Sequence, residues 1–148
     1  MINSTDKPTL QEFHIEGVKH IAPEAALELI EKNEAVLIDV REIHEVANES
    51  VELDNVLYHP MSVIMDRLPY ISKDQNIILI CAHGVRSSKV ANLFSLQGFP
   101  NVANLDGGLE VWKGKGLPYS SNFSLSVAGG CGCSCSAPES GNEGSGCC

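Results

Sequence analysis

Along residues 18–118, short apolar runs alternate with segments whose apolar residues recur at helical spacing, and that alternation admits few folds. Val36-Leu37-Ile38 and Ile77-Ile78-Leu79-Ile80 are continuous apolar runs with no polar face, as a strand covered on both sides requires. Val102 to Leu105 reads as a last strand, and Asn55 to Tyr58 as a weaker one. Pro23 to Glu31 sets Ala26, Leu27 and Ile30 on one helical face behind a first-turn proline. Met61, Ile64, Met65 and Leu68 recur at i, i+3, i+4 and i+7, which predicts a short amphipathic helix stopped by Pro69, with both methionines in the core. Ser87 to Gln97 places Val90, Leu93, Phe94 and Gln97 on one side and stops at Gly98. Leu109 to Trp112 is a short helical turn, with Trp112 as a packing residue. Strand and helix in alternation predict an α/β fold, a central and mostly parallel sheet with helices on both faces.

Composition sets the outer limits. The chain has 148 residues, 43% apolar and 20% charged, which suits a single globular domain. Ten Lys and Arg against 19 Asp and Glu give a formal charge of −9, which argues against a general nucleic-acid binder. The longest apolar run, Ile77 to Ala82, is far short of the roughly 20 residues that cross a bilayer. The first ten residues hold no apolar leader segment, so no secretory signal is expected. Residues 1–17 read as an N-terminal extension, 18–118 as the domain and 119–148 as a tail. The tail is rich in Ser, Gly and Cys, carries two acidic residues and no Lys or Arg, and is expected to stay disordered.

Of six cysteines, five lie in that tail: Cys131, Cys133, Cys135, Cys147 and Cys148. A disulfide-built domain spreads its cysteines through the fold, so this distribution points to a reducing cytoplasm. The tail thiols suit a thiophilic metal, acceptance of a group handed on by another cysteine of the chain, lipidation at the terminal pair, or no defined role. Cys81 stands alone in the body of the chain, at the C-terminal end of its strongest strand. Parallel sheets bind their ligands at that end.

Cys81-Ala82-His83-Gly84-Val85-Arg86-Ser87 joins this strand to a helix. Gly84 permits the tight turn. Backbone N–H groups then point into the loop from Ala82 to Ser87, with the positive end of the helix behind them. Arg86 adds a fixed positive charge. The result is an anion-binding cradle that favours the thiolate of Cys81, the nucleophilic form. His83 is expected to splay outward and at most to tune access. Asp39 and Arg41, just after a buried strand, are expected to be structural.

The loop resembles the active-site loop of rhodanese-like sulfurtransferases, whose common pattern is Cys-x-x-Gly-x-Arg-Ser between a strand and a helix. Cys81, Gly84, Arg86 and Ser87 match it position by position. Asp39-Val40-Arg41-Glu42 is similar to the family's first landmark. Leu105-Asp106-Gly107-Gly108, Trp112 and Gly116-Leu117-Pro118 are similar to its last. The stretch Glu52 to Val56 departs from the family's usual His-Ile-Pro-Gly-Ala and keeps only its apolar positions. The resemblance implies a five-stranded sheet and a two-step reaction with no metal or organic cofactor. Cys81 would take sulfur from a small anionic donor such as thiosulfate, form a persulfide, and pass it to cyanide or a thiol, a protein thiol included. Two other readings are a binding module of the same fold without turnover and a cysteine-dependent phosphatase or arsenate reductase. The latter use a Cys-x5-Arg loop, whereas four residues separate Cys81 from Arg86 here.

Overall fold

A computed structural model of the chain describes residues 4–121. In chain order the elements are β1 (Ser4–Thr5), β2 (Lys19–Ile21), α1 (Pro23–Glu31), β3 (Val36–Asp39), α2 (Ile43–Asn48), β4 (Glu49–Val51) and β5 (Val56–Tyr58). There follow α3 (Ile64–Arg67), β6 (Ile77–Ile80), α4 (Val85–Leu96), β7 (Val102–Leu105), α5 (Gly108–Gly114) and β8 (Tyr119–Ser121). The main sheet has six strands in the order β1-β2-β7-β6-β3-β5. Five are parallel, as the resemblance implies, and the sixth is the antiparallel edge strand β1, two residues long.

The apolar run of β6 is explained by its place between β3 and β7, with all four residues fully buried. Its side chains alternate between the faces. Ile77 and Leu79 pack with Val90, Ala91 and Phe94 of α4 and with Ile64 of α3. Ile78 and Ile80 pack on the other face with Ala26, Leu29 and Ile30 of α1 and with Leu109 and Trp112 of α5. Cys81 continues the alternation onto the α4 face. Trp112 is fully buried, and its Nε1 donates to the Pro118 carbonyl at 2.8 Å.

Two expectations need correcting. Met65 is exposed rather than in the core. The segment from Met61 to Tyr70 is a 3₁₀ turn, one turn of α-helix and a second 3₁₀ turn, so the 3.6-residue register does not persist; Ile64 and Leu68 carry the burial. On α1, Leu29 is buried and Leu27 only partly so. The N-terminal extension packs onto the domain: β1 pairs with β2, and Asp106 accepts hydrogen bonds from the backbone N–H of Thr9 at 2.7 Å and of Leu10 at 3.1 Å.

A second compact unit holds residues 44–50 and, among the described residues, 120–121. Helix α2 buries none of its side chains. The Ser50 and Ser120 hydroxyls lie 3.5 Å apart where β4 pairs with β8. The stretch expected to start the tail thus opens with a strand, Tyr119–Ser121. The five tail cysteines lie outside the described residues. Among the described residues no helix is long and apolar enough to cross a membrane.

Candidate active site

The chain leaves β6 at Ile80 and turns at once, with Gly84 at a φ of +90° directly before the first turn of α4. That conformation suits glycine. A Cβ on Gly84 would also lie 1.8 Å from Oε1 of Gln11. The turn folds the loop over its own first residue. The backbone N–H of Gly84 donates to Cys81 Sγ at 3.1 Å, and that of Ser87 at 3.3 Å. The Ser87 hydroxyl lies 3.3 Å from the same sulfur. Cys81 is 1% exposed, so these groups act on the sulfur with little competing water. Among the described residues Cys81 is a free thiol.

The other loop positions divide by exposure. Ala82 and Arg86 are half-buried, and His83 and Val85 are exposed. His83 thus points outward as expected from the turn. It borders an open hollow of about 640 Å³ beside the loop, together with Leu10, Phe13, Val85 and Val111. The geometry therefore brings Cys81, Gly84 and Ser87 together at the sulfur and leaves His83 at the rim.

The carbonyls of the loop are held from α5. The N–H of Leu109 donates to the Cys81 carbonyl at 2.8 Å, and that of Glu110 to the Ala82 carbonyl at 3.1 Å. These N–H groups belong to the first turn of α5, which has no partners within its own helix. The approach requires a glycine, because a Cβ on Gly108 would stand 2.7 Å from both the Cys81 and Ala82 carbonyl oxygens, and its φ is +68°. Gly108→Ala is expected to destabilise the protein by about 2–3 kcal/mol, since neither backbone can yield. Chemical denaturation checks this; a loss below about 0.5 kcal/mol, the range of ordinary surface changes, would contradict the close contact.

A buried polar network backs the loop and was not anticipated from the sequence. Ser87 Oγ donates to Oδ1 of Asn104, a fully buried residue of β7. Asn104 Nδ2 faces Nδ1 of His20 at 3.0 Å, and His20 Nε2 faces Nδ1 of His14 at 3.1 Å. Gln11 joins from the N-terminal segment, its Oε1 accepting from Asn104 Nδ2 at 3.1 Å and from the Gly107 N–H at 2.8 Å. At the end of β3, Asp39 and Arg41 form a buried pair: Asp39 accepts from Arg41 Nη2 at 2.8 Å and from Nε at 3.0 Å.

Burial pushes His20 below the usual histidine range, reinforced by His14 and opposed by Asp106. His59 is lowered in the same direction by burial and by Arg67. For a histidine lowered on folding, the unfolded chain takes up the proton first. Its stabilising contribution is therefore complete above pH 6.5 and is lost as the pH falls below it. We expect stability to decline from pH 7 to pH 5 by at most about 1.4 kcal/mol per pH unit for each histidine. Denaturant midpoints across this window measure it. His20→Leu should flatten the decline, and an unchanged slope in that variant would contradict the assignment.

Residues 22–115 match the rhodanese-like domain family. The chain is 35% identical over 102 residues to a putative sulfurtransferase, YtwF, of Bacillus subtilis, covering 68% of this chain and 96% of that protein. It is 32% identical over 112 residues to the thiosulfate sulfurtransferase GlpE of Actinobacillus pleuropneumoniae, covering 73% and 98%. Among solved structures, a rhodanese-related protein from Thermoplasma volcanium superimposes with a TM-score of 0.60 at 29% identity, covering 68% of this chain and 96% of that one. With the loop, the parallel sheet and these relatives in agreement, the chain belongs to the rhodanese-like domain family of sulfurtransferases.

Proposed function

We propose that the protein moves sulfane sulfur from a small anionic donor of the thiosulfate type to a nucleophilic acceptor through a persulfide on Cys81. The observation that carries this is the pair of backbone N–H groups, from Gly84 and Ser87, directed at Cys81 Sγ. Such donors stabilise negative charge on sulfur, and they stay in place throughout the reaction because the turn fixes them.

In the first step the Cys81 thiolate attacks the outer sulfur of thiosulfate. A sulfur–sulfur bond to Cys81 forms, the bond to the sulfite group breaks, and sulfite leaves with the electron pair. In the second step an acceptor, cyanide or a thiolate, attacks the outer sulfur of the persulfide. Cys81 leaves as thiolate, and thiocyanate or a new persulfide departs. Charge balances in both steps, and no redox cofactor is needed. Arg86, at the second position of α4, supplies positive charge near the loop for the anionic donor. His83, at the rim, meets the acceptor. Cytoplasmic thiols are suitable acceptors.

Steady-state thiocyanate formation from thiosulfate and cyanide tests the reading. A covalent intermediate predicts ping-pong kinetics, with parallel double-reciprocal lines. Absence of turnover by folded, reduced protein, or intersecting lines, would overturn it.

A further inference from the structure

The network behind Cys81 has a direction, and a short chain of donors and acceptors imposes it. Gln11 is oriented by three backbone groups. Its Nε2 donates to the carbonyls of Phe13 at 2.8 Å and Gly84 at 3.2 Å, and its Oε1 accepts the Gly107 N–H at 2.8 Å. Turning the amide over would set donor against donor and acceptor against acceptor at all three. With Gln11 Oε1 fixed as an acceptor, the Asn104 atom facing it must be Nδ2. Asn104 Oδ1 therefore faces Ser87 and takes its only hydroxyl proton. His20 Nδ1 must then be an acceptor as well, which puts its proton on Nε2, facing His14. The histidines follow this direction, since an imidazole can carry its proton on either nitrogen. Burial, which disfavours a charged His20, agrees with it.

We propose that Gln11 and Asn104 are positioning residues for Cys81: they hold the Ser87 hydroxyl proton away from the sulfur, so that the hydroxyl offers Sγ a lone pair rather than a hydrogen. The thiol proton is accepted by Ser87 Oγ, and the thiolate is supported by backbone N–H groups without help from the hydroxyl. The pair therefore restrains the acidity of Cys81. Once ionised, a less acidic cysteine is a stronger nucleophile towards the donor, though a smaller fraction of it is ionised, and it is a slower leaving group when the acceptor attacks, which prolongs the life of the persulfide. Gln11 lies outside the residues that match the family, so the restraint comes from the N-terminal segment of this chain. The other charged and titratable groups near the loop are Arg86 and His83 on it, Lys89 on α4, Glu12 and Glu110, which border the same hollow as His83, and at the strand ends the Asp39–Arg41 pair and Asp106, which is engaged by Thr9 and Leu10.

The inference rests on Cys81 being the working nucleophile, but its test does not need sulfur transfer. The rate of iodoacetamide alkylation at Cys81, followed in the Cys81 peptide by mass spectrometry, is measured against pH in the full chain. In Gln11→Met the amide of Asn104 is released, and the Ser87 hydroxyl can turn to the thiolate. The pH midpoint should move down by about one unit, the scale of one hydrogen bond to a charged group. In Gln11→Met combined with Ser87→Ala, the midpoint should match that of Ser87→Ala alone, because the hydroxyl proton is gone. Asn104→Ser should shift the midpoint as Gln11→Met does; if that buried change prevents folding, Gln11→Met, at a half-buried position, carries the test. A midpoint in Gln11→Met equal to wild type, or a shift that persists without the Ser87 hydroxyl, would overturn the proposal. Loss of thiocyanate formation in the wild type would count against the sulfur-transfer reading and leave this midpoint comparison intact.

Discussion

Cys81→Ser is expected to reduce thiosulfate-dependent thiocyanate formation to background, a loss of at least about 10³-fold, as removal of a covalent nucleophile does. A serine hydroxyl occupies nearly the same space and meets the same N–H groups of Gly84 and Ser87, so the loop keeps its shape. It is not ionised at neutral pH and cannot carry a persulfide. The loss should fall on turnover in both half-reactions, with an unchanged denaturation midpoint, which separates a chemical effect from an unfolded loop. Substantial residual turnover would mean that another thiol carries the sulfur. The five tail cysteines are the alternative carriers in this chain.

Asp39→Ala is expected to give the largest loss of stability among single changes near the site. Asp39 is 1% exposed and Arg41 4%, and two guanidinium nitrogens meet the carboxylate. Removing the carboxylate breaks a buried ion pair from one side, which costs about 3–5 kcal/mol. In a domain of this size that lowers the melting temperature by roughly 10 °C or more. Replacing both members with apolar residues, as in Asp39→Ala with Arg41→Met, should cost less than Asp39→Ala alone, because the guanidinium is then removed together with the carboxylate it pairs with. Calorimetry on both variants decides the matter. A loss under about 1 kcal/mol for Asp39→Ala would show that the pair behaves like an exposed one.

The fold was legible where burial imposes a simple pattern. Ile77 to Ile80 could be read as a central strand because helices cover both its faces and leave no polar position. Pro23 to Glu31 announced its own start through a first-turn proline. Other elements carry no such signal. Strand β1 is two residues long, too short for a period, and α2 buries no side chain, so it has no apolar face to read. Met65 misled because a mixed 3₁₀ and α segment breaks the helical period.

The candidate site divides in the same way. The Cys81 loop is local: strand, glycine turn and helix start lie within seven residues, and their chemistry follows from that order. The support behind it is not local. Gln11 and Gly107 are 96 residues apart in sequence and 2.8 Å apart in the fold. Asn104 was visible only as a polar residue within the apolar strand from Val102 to Leu105, a sign that it must find a buried partner, and His20, beside Lys19 in a three-residue strand, carries no such signal. Gly107-Gly108 was legible as a motif, yet its work in seating α5 on the Cys81 and Ala82 carbonyls needs the three-dimensional approach.

Whether Cys81 carries sulfur is decided by mass spectrometry of the wild-type chain. Reduced protein is incubated with thiosulfate, freed of excess donor, weighed intact and then digested. A gain of one sulfur atom is expected, located on the peptide that contains Cys81 and removed by cyanide. No gain by folded, reduced protein, or a gain confined to the peptides of the tail cysteines, would contradict sulfur transfer through Cys81.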